Sequence, residues 1–199
     1  GGGIIVIPVL TLGFGVNIHY AIAASIVSVI ATSSGAAARY VRDHLTNIRL
    51  AIFLEVSTVT GAIIGAVISS HVQANFLFIL FALLLLHSAY LMWKRGKTQH
   101  KDVALTTSHP WADYLKLNST YPDHYLKKEV SYLVQQVPLG FLYMLAAGVL
   151  SGLLGIGSGI LKVLAMDSAM KLPIKVSSAT SNFMIGVTAA ASAGAYYMK

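Results

Sequence analysis

The chain has 199 residues, of which 56% are hydrophobic and 11% charged, with a mean hydropathy of +0.70. That excludes an ordinary soluble domain, where charged residues make up about a quarter. Its net charge of +7 comes from Lys and Arg gathered at the ends of apolar runs, with no basic stripe among aromatics, so the implied partner is a lipid bilayer and no nucleic acid. The absence of cysteine removes disulfides, thiolate chemistry and Cys-ligated metals.

In chain order, the spacing predicts a partial helix over 3–14. Further helices are expected over 17–40, 48–70, 74–93, 138–169 with a glycine break, and 174–198. Formal charges are missing from 1–38, 130–161 and 176–198, and Glu55 is the only one between Arg49 and Lys94. Each stretch accommodates a span of roughly 20 residues. The fold expected is therefore all-α, a polytopic membrane bundle.

The chain opens on Gly1-Gly2-Gly3 with its first apolar run interrupted, and it stops after Lys199. It reads as a fragment lacking an N-terminal half-span and two final spans. A shift of 156 lays residues 1–40 over 157–196 and matches Gly1, Gly3, Ile4, Ile18, Ala23, Ser25, Thr32, Ala37 and Tyr40 to identical residues. Two tandem four-span repeats follow, over 1–93 and 138–199, joined by a cytoplasmic linker over 94–137. Val130, Tyr132, Val134 and Gln136 alternate with a period of two, which suggests a short hairpin in that linker.

Arg39, Arg42 and Arg49 bracket one turn, and Lys94, Arg95, Lys97 and Lys101 follow the fourth span. These ends are read as cytoplasmic. Lys199 then gives the last span the orientation of the second, which makes the repeats parallel, with Lys171 and Lys175 left on the outer side.

Glycine clusters break membrane helices, and broken backbone at that depth is tolerated only against protein or a watery cavity. Gly1, Gly2 and Gly3, and Gly157, Ser158 and Gly159, are accordingly candidate substrate-binding positions, where half-helix N-termini favour an anion. The competing reading is close helix packing. The run from Gly155 to Gly159 is no nucleotide loop: the third glycine of a dinucleotide fingerprint is misplaced, no strand precedes it, and Lys162 is followed by Val163.

Lys162 lies in an apolar run just after the second break, where an ammonium needs a partner or water. It is the candidate counter-charge for an anion, with a snorkelling lysine as the rival reading. Glu55 is a candidate coupling carboxylate, a partner for Lys162, or an interfacial acid. Ser25, Thr180, Ser181 and Asn182 offer neutral donors beside the breaks, although such groups also bond helix to helix. Gly61 and Gly65 read as a packing face, and Asp167 as a water-facing cap of the broken helix. His19, His71 and His87 lack metal-ligand spacing. No paired carboxylates or nucleophile–base set is present, so no enzyme activity, cofactor or metal is expected.

The glycine run with Pro8, Leu54-Glu55 with Gly61-Ala62, the segments 150–157 and 179–188, and Tyr121-Pro122-Asp123 in the linker together resemble the TauE/SafE sulfite exporter family, also called the toluene-sulfonate uptake permeases. The resemblance implies an inner-membrane (plasma-membrane), multi-pass protein of about eight spans. It would move sulfite, sulfonates or related small organosulfur anions as a secondary transporter by alternating access. An anion channel, or a carrier for a different small oxyanion, is the alternative. The chain departs from the family pattern at Ser158, where a third glycine is usual, and at Leu164, the counterpart of Pro8, so a weaker second break is expected. Nothing in the sequence selects an oligomeric state.

Overall fold

The computed structural model describes residues 3–69, 71–97, 110–123, 128–155 and 159–197. Helix α1 (Gly3–Pro8) runs directly into a π-helical turn (Val9–Gly13), followed by α2 (Ile18–Arg42), α3 (Ile48–Ser69) and α4 (Ala74–Lys97). The short α5 (Pro110–Tyr114) precedes an antiparallel hairpin of β1 (Ser119–Asp123) and β2 (Lys128–Tyr132). Helix α6 (Val137–Leu154), α7 (Gly159–Leu164), a second π-helical turn (Ala165–Ala169) and α8 (Ile174–Tyr197) complete the order.

Among the described residues, α2, α3 and α6 are long and apolar enough to cross a membrane, while the apolar part of α4, Ala74–Tyr90, is shorter. Helix α8 has 24 residues and packs on α2 and α3. Large apolar side chains remain exposed, among them Ile52, Val56, Ile79, Leu83 and Leu142, an outward face suited to hydrocarbon rather than water.

The tightest interface joins α3 to α6, which run parallel. A Cβ on Gly61 would lie 2.9 Å from the Val149 nitrogen, and one on Gly152 would lie 2.8 Å from the Ala66 nitrogen. Only residues without a side chain let these backbones meet so closely. Two side-chain bonds fasten the same seam: Ser57 Oγ donates to the Phe141 carbonyl at 2.7 Å and Ser69 Oγ to the Leu153 carbonyl at 3.1 Å. The packing face expected at Gly61 and Gly65 is thus met by glycines on the partner helix, Gly148 and Gly152.

Outside the bundle, the hairpin docks on the α2–α3 turn through Asn47. This side chain caps α3 by accepting from Leu50 N at 3.0 Å, and its Nδ2 donates to the Leu117 carbonyl at 2.8 Å and to Tyr132 Oη at 2.9 Å. Burial pushes the Tyr132 phenol up to about 12 from the ordinary 10.0, with bonds to Asn47 and Ser119 pulling the other way.

Two expectations are corrected here. Residues 138–169 do not form one broken span that crosses once. Gln135 N donates to the Met170 carbonyl at 3.1 Å, so the segment leaves and returns to the hairpin side. The reversal follows from Gly155, whose φ of +63° ends α6 in the left-handed region that glycine enters without strain.

The orientation of α8 changes as a result. Ser33 Oγ of α2 lies 3.0 Å from a Cβ placed on Gly186, whereas the α2–α3 turn reaches α8 nearer its start, with Asn47 N donating to Thr180 Oγ1 at 3.1 Å. Helices α2 and α8 therefore run antiparallel, not parallel. Lys175 pairs with Asp123 of the hairpin at 2.9 Å, so it lies on the same side as the turn after Arg42, and not on the opposite face.

Shifting by 156 carries α1 onto α7, each of six residues, and the first π-helical turn onto the second, each of five. It also carries the start of α2, Ile18, onto the start of α8, Ile174. Leu164 stands where Pro8 does, and the π-helical turn follows both.

Candidate functional site

The site is built around the reversal between α6 and α7. Gly155 caps α6, its N–H donating to the Ser151 carbonyl at 2.8 Å, and a Cβ there would press to 2.6 Å from Ile22 Cγ2. The carbonyl of Gly155 accepts from Ser25 Oγ of α2 at 3.0 Å. On the other side of the break, the Gly159 carbonyl accepts from Ser181 Oγ of α8 at 3.1 Å. Ser25 and Ser181, one shift of 156 apart, thus hold the two edges of one break. Orphan backbone carbonyls at membrane depth need such partners. Gly157 and Ser158, like Gly1 and Gly2, lie outside the described residues, and Gly3 opens α1.

One turn into α7, Lys162 is fully buried. Its ammonium donates to Thr188 Oγ1 of α8, and the Thr188 hydroxyl reaches Glu55 Oε1 of α3. Thr58 Oγ1, three residues after Glu55, lies 3.1 Å from the other carboxylate oxygen. The ammonium and carboxylate themselves stand 3.8 Å apart, beyond hydrogen-bond length, so Thr188 forms the bridge. Taking one partner from a buried pair leaves an uncompensated charge and costs about 3–5 kcal/mol. Three elements, α3, α7 and α8, are locked together by this contact.

The other candidates separate from this cluster. Thr180 Oγ1 is occupied by Asn47 N, and Asn182 Nδ2 donates to the Ser178 carbonyl of its own helix at 3.1 Å. Asp167, expected to face water, is buried on the second π-helical turn and is not left unpartnered. Thr188 and Thr58 escape sequence reasoning because threonines in apolar helices commonly bond the carbonyl four residues back. Thr188 has that option too, with the Met184 carbonyl at 2.9 Å. The signal available was position: Thr188 follows Ser181 by seven residues, on the same helical face.

The family model described as "Sulfite exporter TauE/SafE" matches residues 1–199. A "Probable membrane transporter protein YunE" of Bacillus subtilis (strain 168) is 26% identical over 197 residues, covering 93% of this chain and 66% of that protein. The chain thus spans just under two thirds of the relative's length. No solved structure matches. Three of its helices are long and apolar enough to cross a bilayer, and, by a family match over its whole length, the chain belongs to the TauE/SafE sulfite exporter family.

Proposed function

We propose that this chain forms the core of a secondary transporter for small anions, sulfite or sulfonates above all, working by alternating access in the plasma membrane. Two units, 1–93 and 138–199, are joined by a cytoplasmic linker over 94–137 and lie inverted with respect to each other. The coincident element bounds at a shift of 156 and the antiparallel run of α2 and α8 support the inversion, a common plan for carriers whose sites sit at helix breaks near the bilayer midplane.

The substrate site is the break between α6 and α7. Gly157, Ser158 and Gly159 are its candidate substrate-binding positions, its edges are held by Ser25 and Ser181, and Lys162 supplies the positive charge. Thr180 and Asn182 are further candidates on α8, and Gly1, Gly2 and Gly3 are the candidate positions that correspond to Gly157, Ser158 and Gly159 in the first unit's sequence. Glu55 is the coupling carboxylate. The observation that carries this reading is a fully buried lysine one turn past a helix break, since an intramembrane ammonium is retained at a cost that function explains.

The test is flux of radiolabelled sulfite and a sulfonate panel in vesicles containing the complete parent protein, with and without a proton gradient. Saturable flux that responds to the gradient is expected, and Lys162→Ala is expected to abolish it. Unsaturable flux would make the protein a channel. Lys162→Ala carrying sulfite at the parental rate would remove Lys162 from the site.

A further inference from the structure

We propose that Thr188 is a two-position hydroxyl relay that makes anion binding at Lys162 conditional on protonation of Glu55, so that each anion crosses with one proton and singly charged anions are selected. The inference rests on the transport reading above and adds stoichiometry, charge class and a positioning residue to it.

Lys162 and Glu55 sum to zero in a site without exposed charge, the lysine fully buried and the glutamate nearly so. An anion placed against Lys162 adds one negative charge, and burying net charge is strongly unfavourable. Neutrality returns only if Glu55 takes up one proton. A doubly charged anion would leave one charge uncompensated even then, so sulfonates and hydrogensulfite are admitted and sulfate is not.

The geometry supplies the mechanism. The Thr188 hydroxyl has one proton and two acceptors within reach, Glu55 Oε1 and the Met184 carbonyl, while its oxygen accepts from Lys162. With Glu55 ionised, the O–H points to the carboxylate and the ammonium is tied to Glu55 through Thr188. When Glu55 gains a proton from water, the O–H turns to Met184. Lys162 keeps Thr188 as one partner and has further N–H donors to offer an anion.

Among the described residues, Lys162 is the charge that stands beside Glu55, at 3.8 Å. Of the titratable groups on the elements packed around it, Tyr143 of α6 is exposed, Lys175 of α8 pairs with Asp123, and Asp167 has its own partners. Arg49 lies at the exposed end of α3. The first unit has no such relay: Val6 stands at the Lys162 position, and Thr32, at the Thr188 position, bonds the Ser28 carbonyl at 2.9 Å.

The experiment counts protons and anions together, with an internal pH dye and a radiolabelled sulfonate, in vesicles of the complete parent protein as pH is varied. One proton per anion and exclusion of sulfate are expected. Thr188→Ser should keep the pH profile. Thr188→Val should collapse Lys162 onto Glu55 directly, move optimal flux to lower pH and raise KM on the order of tenfold, as for loss of a hydrogen bond to a charged group.

A Val variant with the parental pH profile and proton count overturns the relay while leaving transport intact. A parent with no anion flux at all overturns the transport reading and the relay with it. If the Val variant does not accumulate, Glu55→Gln decides: its proton count should fall to zero per anion, and a count still at one overturns the proposal.

Discussion

Lys162, Thr188 and Glu55 hold opposite charges together across 3.8 Å by way of a hydroxyl, so their energetics are those of a unit. Lys162→Met alone should destabilise the protein by about 3–5 kcal/mol, because it strands a buried carboxylate. Lys162→Met with Glu55→Gln should recover most of that loss, because neither charge is then left alone. Thermal unfolding of the three proteins in detergent checks this, and a double variant as unstable as the single one would show that the pair is not the coupling. Tyr132 makes a second residue-scale prediction. Its raised pKa means that its contribution is complete below the ordinary value of 10.0 and is lost as pH rises through about 12. Hairpin docking, read by tyrosine absorbance and protease protection, should fail within that alkaline window, and Tyr132→Phe should remove the window.

At the scale of elements, the α3–α6 seam tolerates no added atoms. A Cβ on Gly148 would strike the Thr58 carbonyl oxygen and lie 3.0 Å from Thr58 Cα. Gly148→Ala should therefore cost about 1–3 kcal/mol, whereas Gly35→Ala on α2, with open space around it, should be neutral to mildly stabilising; melting temperatures decide between them. Much of this was legible in the sequence. Helix positions follow from unbroken apolar runs, the seam from Gly61 and Gly65, and the break from the glycines after Leu154. The direction of the chain past the break was not. A crossing helix and a returning one have the same composition, so the apolar run over 138–169 gave no sign that Gly155 reverses it.

That reversal governs the molecule as a whole. Taking 138–169 as one crossing changes the parity of every span after it, and Lys171 and Lys175 then appear on the wrong face. With the chain returning to the hairpin, α8 starts beside Asp123, and Arg42 and Lys175 share one side. The absence of cysteine makes this directly testable by single substitutions. Arg42→Cys and Lys171→Cys should react with an impermeant thiol reagent from the same face, and His71→Cys, beyond the far end of α3, from the other. Labelling of Lys171→Cys together with His71→Cys would overturn the antiparallel arrangement.

The contact between Glu55 and Thr188 also has a consequence in time, because 133 residues separate them. At about 5–20 residues per second, a ribosome that has finished Glu55 needs on the order of ten seconds to deliver its partner hydroxyl, and Lys162 arrives only shortly before. For most of that interval α3 carries its acid without either neighbour, and the synthesis of α8 is what closes the site.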